Sequence, residues 1–163
     1  MKKFLAIALA AVLLFALAAC GGNGGEKADV VKVIDINLTE EEYAFGVDKN
    51  QPELLADVNA FIAKIMKDGT FDEICNKYFG DGEPTPVKSA VEDPAKDQLV
   101  VATNAAFAPF EYMEGDSYYG IDMEIAALLA EELGKELVVQ NMKFESVCLS
   151  VGQHKCDIAM AGL

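Results

Sequence analysis

The sequence predicts an α/β fold with a mostly parallel sheet, and its second half provides the main reasons. Two apolar runs, LVVAT from Leu99 and ELVVQN from Glu136, are typical of buried parallel strands. A helical pattern follows each run, and a third apolar run, CDIAMAGL, closes the sequence. This alternation of strands and helices indicates right-handed crossovers and parallel pairing.

The first half predicts two strands, a long helix and a short helix. β-Branched and aromatic residues favour strands at about 30–36 and 42–47. The stretch QPELLADVNAFIAKIMKDG has apolar residues at helical spacing, with Pro52 suited to its first turn and Gly69 to its end. A capping box at 70–73, from threonine to glutamate, then predicts a second, shorter helix.

The remaining elements are predicted from turn-forming residues and from the spacing of apolar residues. Residues 81–97 combine prolines, glycines and scattered charge, which predicts a linker. The segment NAAFAPFEYMEGDSYYG predicts a loop with a small hairpin. DMEIAALLAEELGK predicts an amphipathic helix with Asp122 as its N-cap and Gly134 near its C-terminal end. The negative charge of Glu124 is expected to interact favourably with the positive N-terminal end of the helix dipole. FESVCLSVGQ predicts a short helix before the last strand.

The first twenty residues predict an export signal and not a part of the core. The basic start MKK precedes the apolar run FLAIALAAVLLFALAA, and small residues lead to Cys20. A membrane-spanning helix needs roughly 20 apolar residues, which is more than this run provides, so a cleaved signal is favoured over an uncleaved anchor.

The overall charge argues against one class of partner. The 163 residues have a formal net charge of −14, and such an acidic chain repels phosphate backbones. We therefore expect no nucleic-acid partner. All the basic residues except the single histidine are lysines, and the sequence contains no arginine.

The cysteines and the histidine raise the alternative of a metal site or a thiol enzyme. Besides Cys20 there are Cys75, Cys148 and Cys156, an odd number that allows at most one disulfide among them. The pattern from Cys148 through His154 to Cys156 is not a standard zinc spacing, and no fourth ligand beyond a neighbouring aspartate is evident. A nucleophilic Cys–His pair needs a contact of about 3 Å, which a turn histidine does not favour. We therefore expect no catalytic residues, no metal and no cofactor.

The residues before and after Cys20 resemble the signal and lipobox of bacterial lipoproteins, through the sequence LAAC and the glycine-rich GGNGGEKAD that follows. The resemblance implies that residues 1–19 are a signal peptide, that Cys20 carries lipid, and that residues 20–29 form a flexible tether. Acyl chains on Cys20 would hold the protein at the extracellular face of the bacterial cell membrane, or in the periplasm.

Residues 98–163 resemble the opening segment of the family 3 extracellular solute-binding proteins, the polar-amino-acid receptors of ABC importers. The motifs are LVVATNAAFAPFEY, GIDMEIAALLAEEL and FESVCLSVGQHKCDIAMAGL. Residues 30–80 resemble the closing segment of the same family. This reversed order implies a periplasmic-binding-protein-like (type II) lobe that is circularly permuted, with the second lobe missing.

The family resemblance implies four ligand-binding residues: Asn104, Phe107, Phe144 and Gly162. The Asn104 side chain would contact the ligand, and the two phenylalanines would line the pocket for the ligand's side chain. Gly162, which has no side chain, would let the ligand approach the backbone. An ordinary turn is the alternative for Asn104 and Gly162, and core packing is the alternative for the rings.

The resemblance also implies the partners. In this family two hinged lobes close around an amino acid and dock on a permease, so we expect an amino acid, an ABC permease and, through the anchor, a membrane. The family binds the ligand carboxylate with an arginine that follows the AGL motif, and arginine is absent here. We expect a fragment of a permuted two-lobe receptor, with a single-lobe surface interaction module as the alternative.

Overall fold

The structure is a computed structural model that describes residues 34–36 and 41–163. The chain divides into two units, residues 1–40 and 41–163, and all elements given below lie in the second. Cys20, the predicted export signal and the tether lie outside the described residues. Of the strand predicted at 30–36, only 34–36 are described, and they do not form a strand.

A four-stranded sheet lies at the centre of the second unit. In spatial order its strands are β1 (Gly46–Val47), β7 (Ile158–Ala159), β2 (Gln98–Thr103) and β6 (Glu136–Asn141). β2 pairs in parallel with both β6 and β7, whereas β1 runs antiparallel to β7. The mostly parallel sheet is therefore confirmed, while the strand predicted at 42–47 is reduced to its last two residues.

Helices pack on both faces of this sheet. In the described residues they are α1 (Pro52–Asp68), α2 (Thr70–Phe79), α3 (Ile121–Glu132) and α4 (Phe144–Gly152). Because side chains alternate across a strand, Val101 of β2 joins the core under α1 and α3, while Ala102 joins a smaller core with α4. Ile158 and Ala159 of β7 divide between the two cores in the same way.

Two helices begin differently from the sequence prediction. Gly69, in the left-handed region at φ 90°, ends α1 and also caps α2, so Thr70 lies inside the helix and the capping box does not form. Asp68 Oδ1 accepts the Thr70 N–H at 3.0 Å instead. The N-cap of α3 is Gly120, and Asp122 lies buried in the first turn.

The predicted amphipathic character of α3 is wrong for a tertiary reason. The helix contacts the main sheet, α1, α2 and a second small sheet, so that eight of its residues are buried. Both acids in its first turn, Asp122 and Glu124, are among them.

The predicted hairpin is a three-stranded antiparallel sheet, formed by β3 (Ala106–Phe107), β4 (Glu111–Glu114) and β5 (Ser117–Tyr119). Two backbone hydrogen bonds between Val87 and Tyr118 attach the segment that precedes β2 to β5. The small sheet lies between β2 and α3 in the sequence and places Phe107 opposite Glu111.

The segment 81–97, which we call the connector, packs along the edge of the main sheet. The Ala90 N–H donates to Leu137 O at 2.8 Å, and the Val139 N–H donates to Ser89 Oγ at 2.9 Å. β6 is the edge strand, and unpaired edges favour aggregation. The connector therefore protects part of an edge that would otherwise be open.

Candidate functional site

The four predicted ligand residues lie in or beside the loops that follow the parallel strands. Asn104 follows β2, with Phe107 shortly after it in β3. Phe144 begins α4 after β6, and Gly162 follows β7. The carboxyl ends of parallel strands share one edge, which is where open α/β sheets bind ligands. The fold thus brings all four residues to one end of the sheet.

Asn104 joins two of these loops. Its Nδ2 donates to Met142 O at 2.7 Å, and the following Ala105 N–H donates to Asn141 Oδ1 at 3.0 Å. These two bonds hold the loop after β2 against the loop after β6, immediately before Phe144. Among the described residues, no hydrogen-bond donor is assigned to Asn104 Oδ1, so this oxygen is available as an acceptor.

The two predicted aromatic walls are both about half exposed. Phe107 is 47% exposed and Phe144 is 52% exposed. Phe107 stacks on Phe110, with ring centroids 5.4 Å apart and an interplanar angle of 19°. The alternative that both rings are ordinary core residues therefore does not describe them, because core phenylalanines are usually buried.

Gly162 is held closely between two neighbours. Its φ is +57°, in the left-handed region that favours glycine. A Cβ at this position would lie 3.0 Å from two ring carbons of Phe107. On its other side the Gly162 N–H donates to Asp122 Oδ2 at 3.1 Å.

Two buried carboxyl groups, which sequence reasoning did not place in the site, lie beside Gly162. Glu111 is 1% exposed, and its Oε2 has no hydrogen-bond partner among the described residues. Burial, followed by the charge of Asp122, raises the pKa of Glu111 to about 8. Burial raises the pKa of Asp122 to about 6, although the Gly162 N–H acts in the opposite direction. No sequence signal marks Glu111, because a glutamate in a short strand is expected to face solvent.

Glu124 has a different role from the predicted support of the helix dipole. Its carboxylate accepts hydrogen bonds from Lys77 Nζ at 2.5 Å, Tyr78 Oη at 2.7 Å and the Thr85 N–H at 2.9 Å. Tyr78 Oη in turn accepts the Gly120 N–H at 2.9 Å. Glu124 therefore links α3 to α2 and to the connector.

Of the cysteines and the histidine, His154 and Cys156 line a separate cavity beside α4. Cys75, Cys148 and Cys156 are free thiols. Burial raises the pKa of Cys156, which keeps the thiol protonated and opposes nucleophilic use. Asp157 Oδ2 accepts a backbone N–H of β2 at 2.8 Å. Within residues 34–36 and 41–163, no three His, Cys, Asp or Glu side chains are grouped to hold a metal ion.

Fold and site together define an α/β lobe that presents polar and aromatic residues at the carboxyl end of a parallel sheet. The chain belongs to the bacterial extracellular solute-binding proteins, family 3, which it matches over residues 6–81 and 99–163. Its fold is the periplasmic-binding-protein-like (type II) lobe that the family resemblance implies. In the described part of the chain, none of the helices has the length and apolar character needed to cross a bilayer.

Named relatives match part of this chain. The arginine-binding extracellular protein ArtP of Bacillus subtilis (strain 168) is 38% identical over 68 residues, which are 42% of this chain and 27% of ArtP. Cyclohexadienyl dehydratase of Pseudomonas aeruginosa is 38% identical over 66 residues, 40% of this chain and 25% of that protein. The chain thus spans about a quarter of the length of these relatives.

Solved structures with this similarity include the arginine-bound form of domain 1 from TmArgBP. The alignment has 31% sequence identity and a TM-score of 0.40, and it covers 41% of this chain and 54% of that domain.

Proposed function

We propose that this chain supplies one lobe of an extracellular receptor that binds an amino acid for an ABC importer. The observation that carries the proposal is the convergence of Asn104, Phe107, Phe144 and Gly162 at one end of the sheet, with both rings half exposed. Membership of the solute-binding family supports it. The arginine-binding relative makes arginine the first ligand to test.

Each of the four residues has a defined task in this proposal. Asn104 Oδ1 and the Gly162 carbonyl accept hydrogen bonds from the ligand's ammonium group. Phe107 and Phe144 contact the aliphatic part of its side chain, since ligand sites combine apolar walls with a few polar groups. The proposal includes no chemical step on the ligand and no cofactor.

The proposed receptor is circularly permuted. Strand β1, from the segment 30–80, pairs with β7, from the segment 98–163. Helices α1 and α2 of the first segment also pack on α3 of the second. These contacts support the proposal that the two segments form a single lobe, joined through the connector. A second lobe would close over Phe107 and Phe144, and the closed form would dock on a permease.

Membrane attachment through Cys20 is a separate part of the proposal, supported by the sequence pattern alone. We expect the wild-type chain to incorporate radiolabelled fatty acid when it is expressed in a bacterium. Cys20→Ala should abolish the label, whereas Cys148→Ala, which removes an exposed thiol, should retain it. Equal labelling of the wild type and Cys20→Ala would refute the anchor.

Ligand binding can be tested by calorimetric titration of the purified chain with the twenty common amino acids, beginning with arginine. A ligand that binds only the folded state also raises the melting temperature, which gives a second readout. We expect at least one polar amino acid to bind. Absence of heat and of any melting shift up to about 10 mM for all twenty would overturn the proposal, and turnover of an added ligand would favour an enzyme instead.

Phe107→Ala should weaken binding of that amino acid at least about tenfold, because it removes one wall of the site; tenfold corresponds to about 1.4 kcal/mol. Phe79→Ala is the matched control, since Phe79 is also exposed, at 69%, but lies at the end of α2. The dissociation constant of the control should equal that of the wild type. A larger loss for Phe79→Ala than for Phe107→Ala would place the site elsewhere.

A further inference from the structure

We propose that Glu111 and Asp122 form a pH-sensitive pair that positions Gly162 against Phe107, so that protonation of the pair sets the affinity of the ligand site. This inference rests on the proposed function only for its consequence for affinity. The coupling between the two carboxyl groups and the backbone of Gly162 is a property of the lobe itself.

The geometry places both acids around the same residue. Asp122 Oδ2 accepts the Gly162 N–H at 3.1 Å. Glu111 lies on β4 directly opposite Phe107 in the register of the small sheet. A Cβ built on Gly162 would lie 3.8 Å from Glu111 Oε1 and 3.0 Å from the Phe107 ring. A displacement of Asp122 therefore acts directly on the Gly162 N–H. Glu111 acts through Phe107, its partner in the small sheet, whose ring leaves Gly162 little free space.

The pair is enclosed and lacks a compensating cation. Glu111 is 1% exposed and Asp122 is 5% exposed. The four lysine–carboxylate ion pairs found among the described residues involve other carboxylates. The Oε2 of Glu111 is buried without a hydrogen-bond partner in the same part of the chain. Two like charges in such surroundings repel strongly, so they should not both be ionised at neutral pH.

The titratable groups beside Asp122 in the described residues do not supply a compensating positive charge. Tyr43 and Cys75 line an apolar cavity of about 330 Å³ together with Asp122. The hydrogen bond of Tyr43 to Glu41 raises the pKa of its phenol, and burial raises that of the Cys75 thiol. Both groups therefore remain neutral where the two carboxyl groups titrate, and Glu41 is engaged with Tyr43.

Protons leave the pair in order. Asp122, with a pKa of about 6, ionises before Glu111, with a pKa of about 8. Between these values the Gly162 N–H donates to a charged carboxylate, and charge-assisted bonds are roughly twice as strong as neutral ones. Below about pH 6 the acceptor becomes neutral, and above about pH 8 the two charges repel. The site should therefore be best ordered between the two pKa values.

The same shifts determine the sign of the stability change. Both pKa values are raised above those of ordinary carboxyl groups, so the folded state binds more protons than the unfolded state between the ordinary and the raised values. Stability in that range falls as pH rises. The midpoint urea concentration should accordingly decrease from about pH 5 to about pH 9, and Glu111→Gln should flatten the upper part of this decrease.

The direct test follows the backbone amide of Gly162 by ¹H–¹⁵N NMR on the ligand-free chain from about pH 5 to pH 9. In the wild type we expect the chemical shift of this amide to change in two steps, with midpoints near pH 6 and near pH 8. Asp122→Asn should remove the first step and lower the midpoint of the second, because the Asp122 charge helps to raise the pKa of Glu111. Glu111→Gln should remove the second step and leave the first in place.

The outcomes separate this inference from the proposed function. A Gly162 amide chemical shift that is constant over the whole pH range in the wild type would overturn the proposed pH-sensitive pair, even if an amino acid binds. This result comes from the wild type, so it does not depend on whether a variant folds. Two steps in a chain that binds no amino acid would overturn the proposed function and leave the coupling intact. If both hold, the affinity for the bound amino acid should be highest between the two midpoints and should fall at least threefold on either side.

Discussion

Gly120→Ala is expected to destabilise the lobe by more than about 4 kcal/mol, a large fraction of the 5–15 kcal/mol typical of a folded domain. Gly120 has a φ of +122°, which alanine rarely adopts. An alanine Cβ would lie 2.1 Å from the carbonyl oxygen of Phe110 and 2.4 Å from its carbonyl carbon. These are backbone atoms, so no change of side-chain rotamer can relieve the clash.

The consequence of this clash extends to the site. The Asp122 N–H donates to the same Phe110 oxygen at 2.9 Å, and this bond attaches the start of α3 to the loop after β3. A Cβ on Gly120 must separate the two segments, and with them Asp122 from its place beside Gly162. We therefore expect loss of cooperative unfolding in urea, followed by circular dichroism, or a strongly lowered midpoint.

Two other glycines provide matched controls for the conformational part of this effect. Gly115 and Gly134 also have positive φ, at +59° and +68°, but a Cβ on either would meet no atom within 4 Å. Alanine there should cost only the backbone strain of about 1–2 kcal/mol. If Gly120→Ala unfolds at the same urea concentration as Gly134→Ala, the close approach to Phe110 is not present in solution.

Glu124→Ala is expected to lower the free energy of unfolding by about 3–5 kcal/mol, the range found when one partner of a buried ion pair is removed. Glu124 is 5% exposed and accepts three hydrogen bonds, from Lys77, Tyr78 and the backbone of Thr85. Alanine would leave Tyr78 Oη and the Thr85 N–H without this acceptor in a partly buried place, while Lys77 would keep its bond to Thr85 Oγ1. Each lost bond adds to the destabilisation. Urea unfolding at neutral pH measures the loss.

Glu132→Ala is the control for this prediction, because Glu132 also lies on α3 and pairs with a lysine, Lys64, at 2.5 Å. In that pair, however, about half of each side chain is exposed. Exposed ion pairs contribute little, since water and salt screen them. The unfolding midpoint of Glu132→Ala should stay close to that of the wild type. Equal losses for the two variants would show that Glu124 does not join the segments.

Limited proteolysis distinguishes loss of the Glu124 hydrogen bonds from a general loss of stability of the lobe. Glu124 connects α3 with α2 and with the connector, so its removal should expose the connector to proteolysis while the core still unfolds cooperatively. Trypsin can cut after Lys88 and Lys96 within that segment. We expect earlier cleavage at these lysines in Glu124→Ala than in Glu132→Ala.

The sequence by itself determined the longer strands and the helices and, through its resemblance, the family. Long apolar runs produced β2 and β6 at the predicted places, because a strand that is buried on both faces must be apolar throughout. Helical spacing of apolar residues located α1, and Gly69 ended it as predicted. The family resemblance indicated Asn104, Phe107, Phe144 and Gly162 as ligand residues, and parallel strands place their following loops at one edge of the sheet.

Only the tertiary structure decided the roles of the charged residues. Asp122 and Glu124 look like ordinary residues of a helix N-terminus, and Glu111 looks like a surface residue, but all three are buried. Their surroundings come from segments distant in sequence, namely Gly162 for Asp122 and the segment from Lys77 to Thr85 for Glu124. Local periodicity reflects which side of one element is apolar. It carries no information about which distant segments enclose that element, and this enclosure sets the burial, hydrogen bonding and pKa of each carboxyl group.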